Sequence, residues 1–287
     1  MPRPPDALRS LYRHTAPHYE AAIAPVMRPF AQDLVRRATL GQGDTVLDVG
    51  TGTGVLARQV AGLSRRVIGV DIALPMLEVA RRQAALAGLR GVCFLLADAN
   101  DLGALAASCC DVVFASFGLG ECHPARALRA VARVLRPGGR FYLQEWGPYD
   151  GPQDPRWIVD DTLADFATAS AQGLRLDLRR FLAAPRPWDR RLQDVEDYTH
   201  ALAGAGFTPL HVEEGRPVTV AFQPGVSAFL RYALAWASRR LELEALDESA
   251  RHAFCQTVTR RLEPLTDPRG VLLWNPLLFR ATSVRKF

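Results

Sequence analysis

Residues 46–54 read Val46-Leu47-Asp48-Val49-Gly50-Thr51-Gly52-Thr53-Gly54, VLDVGTGTG. An apolar run ends in an acid, and glycines follow at three alternate positions. A strand end that feeds a helix start exposes unpaired N–H groups. Glycine lets a ligand approach the main chain and tolerates positive φ. The turn is therefore suited to holding something polar by backbone contact. It does not match a dinucleotide fingerprint, whose GxGxxG/A pattern would need Gly or Ala where Val55 stands. No GK[ST] follows, so it is not a P-loop.

Outward from this turn the chain alternates. TVLDV (45–49), RVIGV (66–70), VCFLL (92–96), DVVFAS (111–116) and RFYLQEW (140–146) read as strands. Helices are predicted over 54–63, 74–87 and 123–135, with a short one near 101–107, and Pro137-Gly138-Gly139 as a turn. Several strands are nearly continuous apolar runs, the pattern of a parallel sheet covered on both faces. The predicted class is a doubly wound, Rossmann-like α/β sheet. Upstream, Ile23, Val26, Met27, Phe30, Leu34 and Val35 share one helical side within 11–40. Downstream, 151–192 and Asp194–Ala205 read as helical, and Phe207–Glu213 and Val218–Phe222 as strands. Val226–Leu241 is a predicted helix, as is the segment where Leu246, Ala250, Phe254, Val258 and Leu262 recur; Val271–Val284 is a closing strand bent at Pro276. The expected organisation is an N-terminal helical cap (1–40), a ligand-binding core (41–150), a helical lid insertion (151–192), and the rest of the core (193–287) with a helical insertion at 225–264.

With 287 residues, 48% hydrophobic and 23% charged, the chain has the composition of a soluble globular protein that needs no staples for its core. The formal charge of +5 is carried almost wholly by arginine, and Lys286 is the only lysine. The odd count of five cysteines and the lack of CxxC argue against a disulfide scaffold or a metal knuckle, and no metal is expected. MPRPPDALRS has no apolar core of signal-peptide length, and no apolar run is long enough for a bilayer, so a cytoplasmic location is expected.

Two further acids sit where the second and third strands end. Asp71 follows RVIGV, where a carboxylate can accept both hydroxyls of a ribose. Asp98 lies in LLADAN, where it can accept from an exocyclic amino group while the Ala99 backbone reads the base edge. All would share the carboxyl edge of the sheet, where such folds bind ligands. The set resembles a class I S-adenosylmethionine-dependent methyltransferase. VLDVGTGTG resembles the first motif of that family, VIGVDIALPMLEVA (67–80) the second, and ADAN (97–100) the adenine-edge motif. DVVFASFGL (111–119), VLRPGGRFYLQEW (134–146) and AGAGF (203–207) resemble its later strands and turns. LYRHTAPHYE (11–20) is similar to the N-terminal segment of the quinone-type (type 11) C-methyltransferase subgroup, in which a tyrosine closes over the cofactor.

The resemblance implies seven strands with a reversed last one, supplied by VLLWNPLLFRATSV, and S-adenosylmethionine as cofactor with S-adenosylhomocysteine as product. It implies that Gly50, Thr51, Gly52 and Gly54 face the methionine end, with Asp48 holding the ammonium directly or through water. Asp71 would take the ribose, Ile72 and Met76 would sandwich the adenine, and Asp98 and Ala99 would read its edge. Ser116 and Phe117, after the fourth strand, complete the cofactor set; Tyr19, and less strongly Tyr12, would cap it.

Methyl transfer from a sulfonium needs alignment and exclusion of water, and a base only if the acceptor must lose a proton. His123 in FGLGECHP and Glu145 at the end of the fifth strand are the catalytic candidates. The acceptor chamber is expected to draw on Trp157, Phe166, Trp188, Phe229, Tyr232 and Trp236. Arg175, Arg179, Arg180, Arg186, Arg190 and Arg191 read as a solvated helix face interrupted by Asp177 and Asp189, with steering of an acidic acceptor as the alternative. Asn275-Pro276 lacks the second proline and the aromatic of an amino-methylating box. The function expected is methylation of a small molecule on oxygen or carbon, without nucleic acid or membrane span and with a homodimer as the assembly considered. The alternatives are an RNA or protein methyltransferase and a non-catalytic cofactor-binding paralogue, with a dinucleotide oxidoreductase further off.

Overall fold

A computed structural model describes residues 5–169 and 186–286. Seven strands form one sheet: β1 (Thr45–Val49), β2 (Arg66–Asp71), β3 (Val92–Leu96), β4 (Cys110–Ser116), β5 (Leu135–Trp146), β6 (Phe207–Gly215) and, last in the chain, β9 (Leu278–Arg285). Their order is β3-β2-β1-β4-β5-β9-β6. β1 through β5 pair in parallel, and β9 runs antiparallel between β5 and β6. Order reverses at β1, so the crevice between β1 and β4 is the switch point where such sheets take ligands.

Every residue of β1 is buried. Side chains alternate across a strand, so Val46 joins a cluster with Leu34, Val60, Val67, Phe94 and Phe114 on one face. Leu47 and Val49 join Ile68, Val113, Val131 and Phe141 on the other. Helices α2 (Ala24–Arg37), α3 (Val55–Val60) and α4 (Leu74–Leu86) cover the first face. Helices α5 (Pro124–Val134) and α7 (Val195–Gly204) cover the second. Asp194 caps α7, accepting the Asp197 N–H at 2.9 Å.

Above the carboxyl edge lies a third cluster, made by Ile23, Phe30, Val159, Phe229, Tyr232, Phe254 and Trp274. It joins the π-helical turn Tyr19–Ile23, between α1 (Pro5–His18) and α2, to α6 (Pro155–Ala169), α8 (Gly225–Ala233) and α10 (Glu248–Leu262). A second helix, α9 (Ala237–Glu244), packs on α1 through Ala237 and Leu11.

Four expectations change. The segment near 101–107 is a string of turns, not a helix. The single helix predicted over 226–241 breaks at Leu234–Trp236, where Trp236 takes an extended ψ of 133°. The closing strand is two strands: β8 (Leu272–Trp274) pairs with β7 (Val220–Phe222) in a separate ribbon, and only β9 enters the main sheet. Asn275-Pro276-Leu277 makes the break, since proline cannot donate to a ladder. Between 151 and 192 the helix α6 is described to Ala169, 186–192 runs as turns rather than as helix, and Arg175, Asp177, Arg179 and Arg180 lie outside the described residues.

All five cysteines are free thiols. Among the described residues no helix is long and apolar enough to cross a membrane, and no three metal-ligating side chains cluster.

Candidate active site

A cavity of about 1030 Å³ runs along the carboxyl edge of five adjacent strands. Gly50 and Gly52 border it after β1, Asp71 and Ile72 at the end of β2, Asp98 and Ala99 after β3, Ser116 and Phe117 at the end of β4, and Trp146 at the end of β5.

The turn after β1 holds Gly50, Gly52 and Gly54 at φ 71°, 54° and 81°. A Cβ on Gly50 would lie 2.4 Å from the Gly118 Cα, and one on Gly118 would lie 2.3 Å from the Val49 carbonyl oxygen. The turns after β1 and β4 are thus in backbone contact, which only two facing glycines permit. Gly54 is needed for packing, since its Cβ would crowd the Phe94 ring at 3.1 Å.

Asp48 stands behind this turn rather than in the cavity. Its Oδ2 accepts from Thr51 Oγ1 at 2.7 Å and from the Ala57 N–H at 3.1 Å. Alternation points Asp48 to the same face as Val46, beneath the start of α3. Gly54, the residue before α3, has no side chain to cap it, and Asp48 performs that service from the strand. Burial pushes its pKa up to about 6, against those two bonds and with help from the Asp71 charge. Asp48, Thr51 and Gly54 therefore brace the turn from behind, whereas Gly50 and Gly52 form its exposed surface.

Asp71 is fixed by backbone donors: Gly52 N–H to Oδ2 and Ala73 N–H to Oδ1, both at 2.9 Å. Burial raises its pKa, and bonds from Ala73, Gly52 and Ile72 oppose the shift. Asp98 Oδ1 accepts from the Asn100 N–H at 2.8 Å and from Asn100 Nδ2 at 2.9 Å. Met76 and Tyr19 also line the cavity. Tyr19 meets Trp236 edge-on at 5.9 Å, and burial lifts its hydroxyl pKa far above the usual value. Arg58 ties this cap to the glycine turn, pairing with Glu20 at 3.0 Å and donating to the Thr53 carbonyl at 2.8 Å.

The two catalytic candidates are not in the chamber. His123 precedes α5, where its N–H donates to Asn100 Oδ1 at 2.9 Å. Its ring Nδ1 is buried without a partner among the described residues, and burial, then Arg191, lowers its pKa. Glu145 is 1% exposed. Oε1 accepts the Leu119 N–H at 2.9 Å, and Oε2 has no partner among the described residues. Burial pushes its pKa up to about 7, with the Arg186 charge opposing. Its strand position directs it under the turn that carries Gly118, so it supports that turn rather than facing the cavity.

Of the six aromatics expected in the chamber, Tyr232 and Trp236 line it. Trp188 and Phe229 are fully buried, Trp188 donating to the Tyr198 hydroxyl at 2.9 Å. Trp157 lies under Arg261 and Phe166 against Phe254. Three further lining aromatics, not placed in the chamber from the sequence, are Trp146 at the end of the fifth strand, Tyr149 just beyond it, and Phe279 on β9. The position of Trp146 was itself a signal, since the strand ends, with Glu145 at the fifth, already supplied the other candidates. Arg186 leaves the solvated face and borders the cavity over Gly120, while Arg190 and Arg191 stay exposed. Arg156, Asp160 and Arg239 complete the far wall.

The half of the cavity nearest β1–β3 presents backbone, Asp71 and Asp98, and its described lining contains no cation. That donor set fits a nucleoside with free hydroxyls and an amino-bearing base, and disfavours phosphate.

The methyltransferase-domain family model matches residues 47–143. Malonyl-[acyl-carrier protein] O-methyltransferase from Serratia marcescens is 30% identical over 72% of this chain and 80% of its own length. The ubiquinone/menaquinone C-methyltransferase of Acidiphilium cryptum is 41% identical over 54% of this chain and 56% of its own. Other curated relatives are spanned over only 20% to 66% of their length. Among solved structures, the YcgJ protein of Bacillus subtilis shares the fold, with TM-score 0.54, 17% identity, and coverage of 90% of this chain and 98% of that one. With the glycine turn, Asp71 and Asp98 in one crevice at the switch point, the chain belongs to the S-adenosylmethionine-dependent methyltransferase family, and S-adenosylmethionine is its cofactor.

Proposed function

We propose that this chain methylates a small molecule, on oxygen or carbon, in the part of the cavity beyond the cofactor. The observation that carries this reading is continuity. The same cavity that borders Gly50, Asp71 and Asp98 passes Phe117 and reaches Trp146, Tyr149, Tyr232 and Trp236. About 1030 Å³ slightly exceeds the usual range of about 300–1,000 Å³ for one drug-sized ligand, which leaves room for an acceptor.

In this reading Asp71 accepts from the ribose hydroxyls, Asp98 and the Ala99 backbone hold the base edge, and Ile72 and Met76 flank the base. Gly50 and Gly52 admit the methionine end, and Tyr19 closes over it. Asp48 keeps both recorded bonds on Oδ2, and acts on the ammonium through the turn it braces. When bound, the cofactor supplies a sulfonium methyl group. The chain's own residues align the acceptor along Phe117 and Trp146 and keep water out. His123 and Glu145 shape the turns around the chamber, so alignment rather than a side-chain base carries the rate. A cytoplasmic location is proposed on the five free thiols.

Calorimetric titration with S-adenosylmethionine and NAD tests the class: the first binds, the second does not, and Asp71→Ala loses the binding. Detection of S-adenosylhomocysteine over a panel of phenols and ring-carbon acceptors tests the reaction. Turnover confined to RNA or protein, or cofactor binding with no turnover on any acceptor, would replace this reading with one of the alternatives.

A further inference from the structure

The two halves of the cavity differ in what their walls are made of, and the far half is aromatic. Phe117 and Trp146 stack with centroids 4.0 Å apart and planes inclined by 22°. Tyr149, Tyr232 and Trp236 continue the wall. Trp236 stands edge-on to Tyr232 at 6.1 Å. Stacked and edge-on rings reward another flat ring beyond the area it buries, and give an aliphatic chain no such bonus.

Charge narrows the class further. Among the described residues, three cations border the cavity: Arg156, Arg186 and Arg239. Each is already held. Arg156 gives Nε and Nη2 to Asp154 at 3.2 and 2.7 Å. Arg239 gives Nε and Nη2 to the two oxygens of Asp160 at 2.5 and 2.8 Å, and Nη1 to the Ala233 carbonyl at 3.4 Å. Arg186 gives Nε and Nη2 to Asp189 at 2.7 and 3.0 Å. Asp160 also accepts from the Tyr149 hydroxyl, and Glu242 adds a further carboxylate on the same wall. An entering carboxylate or phosphate would lose its water and meet guanidinium groups whose Nε–Nη2 edges are already taken by carboxylates, beside the further carboxylate of Glu242.

We infer that the acceptor is an uncharged planar ring laid on the Phe117–Trp146 face, and that Asp160, with Asp154 and Asp189, excludes carboxylates and phosphates by occupying the chamber's arginines. The inference rests on reading the cavity as a methyl-transfer chamber. Asp160 is the informative member, because its pair with Arg239 is half-buried and faces the aromatic wall.

The test is calorimetric titration of the full chain, saturated with S-adenosylhomocysteine, using 1-naphthol, 1-naphthoate and decan-1-ol. Naphthol is expected to bind at least about tenfold more tightly than either of the others. Asp160→Asn keeps the shape and an acceptor for Tyr149 while freeing Arg239. In that variant the preference for naphthol over naphthoate falls by about tenfold. Naphthoate or decanol binding the natural chain as tightly as naphthol overturns the inference. So does an Asp160→Asn chain that melts normally and keeps the natural ratio. If Asp160→Asn does not fold, the naphthol-to-naphthoate ratio of the natural chain decides. A parallel titration with S-adenosylmethionine separates the two failures. A chain that binds it yet prefers naphthoate loses only the specificity assigned here; a chain that does not bind it loses the proposed function.

Discussion

The cofactor half and the acceptor half of the cavity are built by different means. The first is made of backbone: glycines at positive φ, N–H groups that fix Asp71, and turns in direct contact at Gly50 and Gly118. The second is made of side chains from segments far apart in sequence, among them Trp146, Arg156, Arg186, Tyr232 and Arg239. A backbone site has no tolerance for added atoms and much for changed side chains elsewhere. A side-chain site has the reverse. The hardest way to break this contrast is Gly50→Ala. The new Cβ would meet main chain, at 2.4 Å from Gly118 Cα, in a left-handed conformation. The expected cost is roughly 4 kcal/mol of stability. Cofactor affinity is expected to fall by more than about 100-fold, because the displaced turn no longer fits its ligand. Thermal unfolding and S-adenosylmethionine titration read the two effects. Unchanged binding would mean the turn is not the cofactor's seat.

The same contrast explains what the sequence disclosed. β1 to β4 and their terminal acids were legible because strand period and turn chemistry are local. VLDVGTGTG, Asp71 and Asp98 needed only their own neighbours to be placed. The position of Asp48 behind the turn also follows from local physics. The period of two already put it on the Val46 face, under a helix whose cap position is a glycine. The acceptor half was not legible for a different reason. Trp188 is flanked by Arg186, Pro187, Asp189 and Arg190, and Trp236 by Ala235 and Ala237, yet Trp188 is the one sealed against Tyr198 and Trp236 the one that faces the cavity. That difference is set by the break at Leu234–Trp236, which carries no glycine or proline to announce it. Arg186 gave no signal either, since its role depends on the absence of a side chain at Gly120.

Glu145 sits between the halves and gives the next largest expected effect. Its pKa is raised by burial from 4.5 to about 7. Between about 4.5 and about 7 the folded chain keeps a proton that the unfolded chain has released, so stability falls as pH rises through that window. The loss amounts to on the order of 2–3 kcal/mol once ionisation is complete. Glu145→Gln keeps an acceptor for the Leu119 N–H and removes the titration. Denaturant midpoints from pH 4 to 8 should show a component of negative slope in the natural chain that the variant lacks. Equal slopes would place Glu145 in a more polar setting than its burial implies.

Two milder substitutions sharpen the division by reading both ligands at once. Asp71→Asn retains one acceptor oxygen but turns an amide toward either Gly52 or Ala73, each of which donates to the carboxylate. Cofactor affinity should fall by about 1.5–3 kcal/mol, the worth of a charged hydrogen bond. Affinity for 1-naphthol should stay within about twofold once the cofactor site is saturated. Trp146→Phe reverses the pattern. It keeps a ring stacked on Phe117 but gives up part of the face now set 4.0 Å away. Naphthol should weaken by about 1 kcal/mol or less, roughly threefold to fivefold, as expected of one aromatic pair. S-adenosylmethionine binding should not move, because the turn beside Gly50 is held by Gly118 and the Leu119 N–H, not by the indole. If Trp146→Phe weakens both ligands equally, the Phe117–Trp146 stack transmits strain into the glycine turn, and the two halves act as one site.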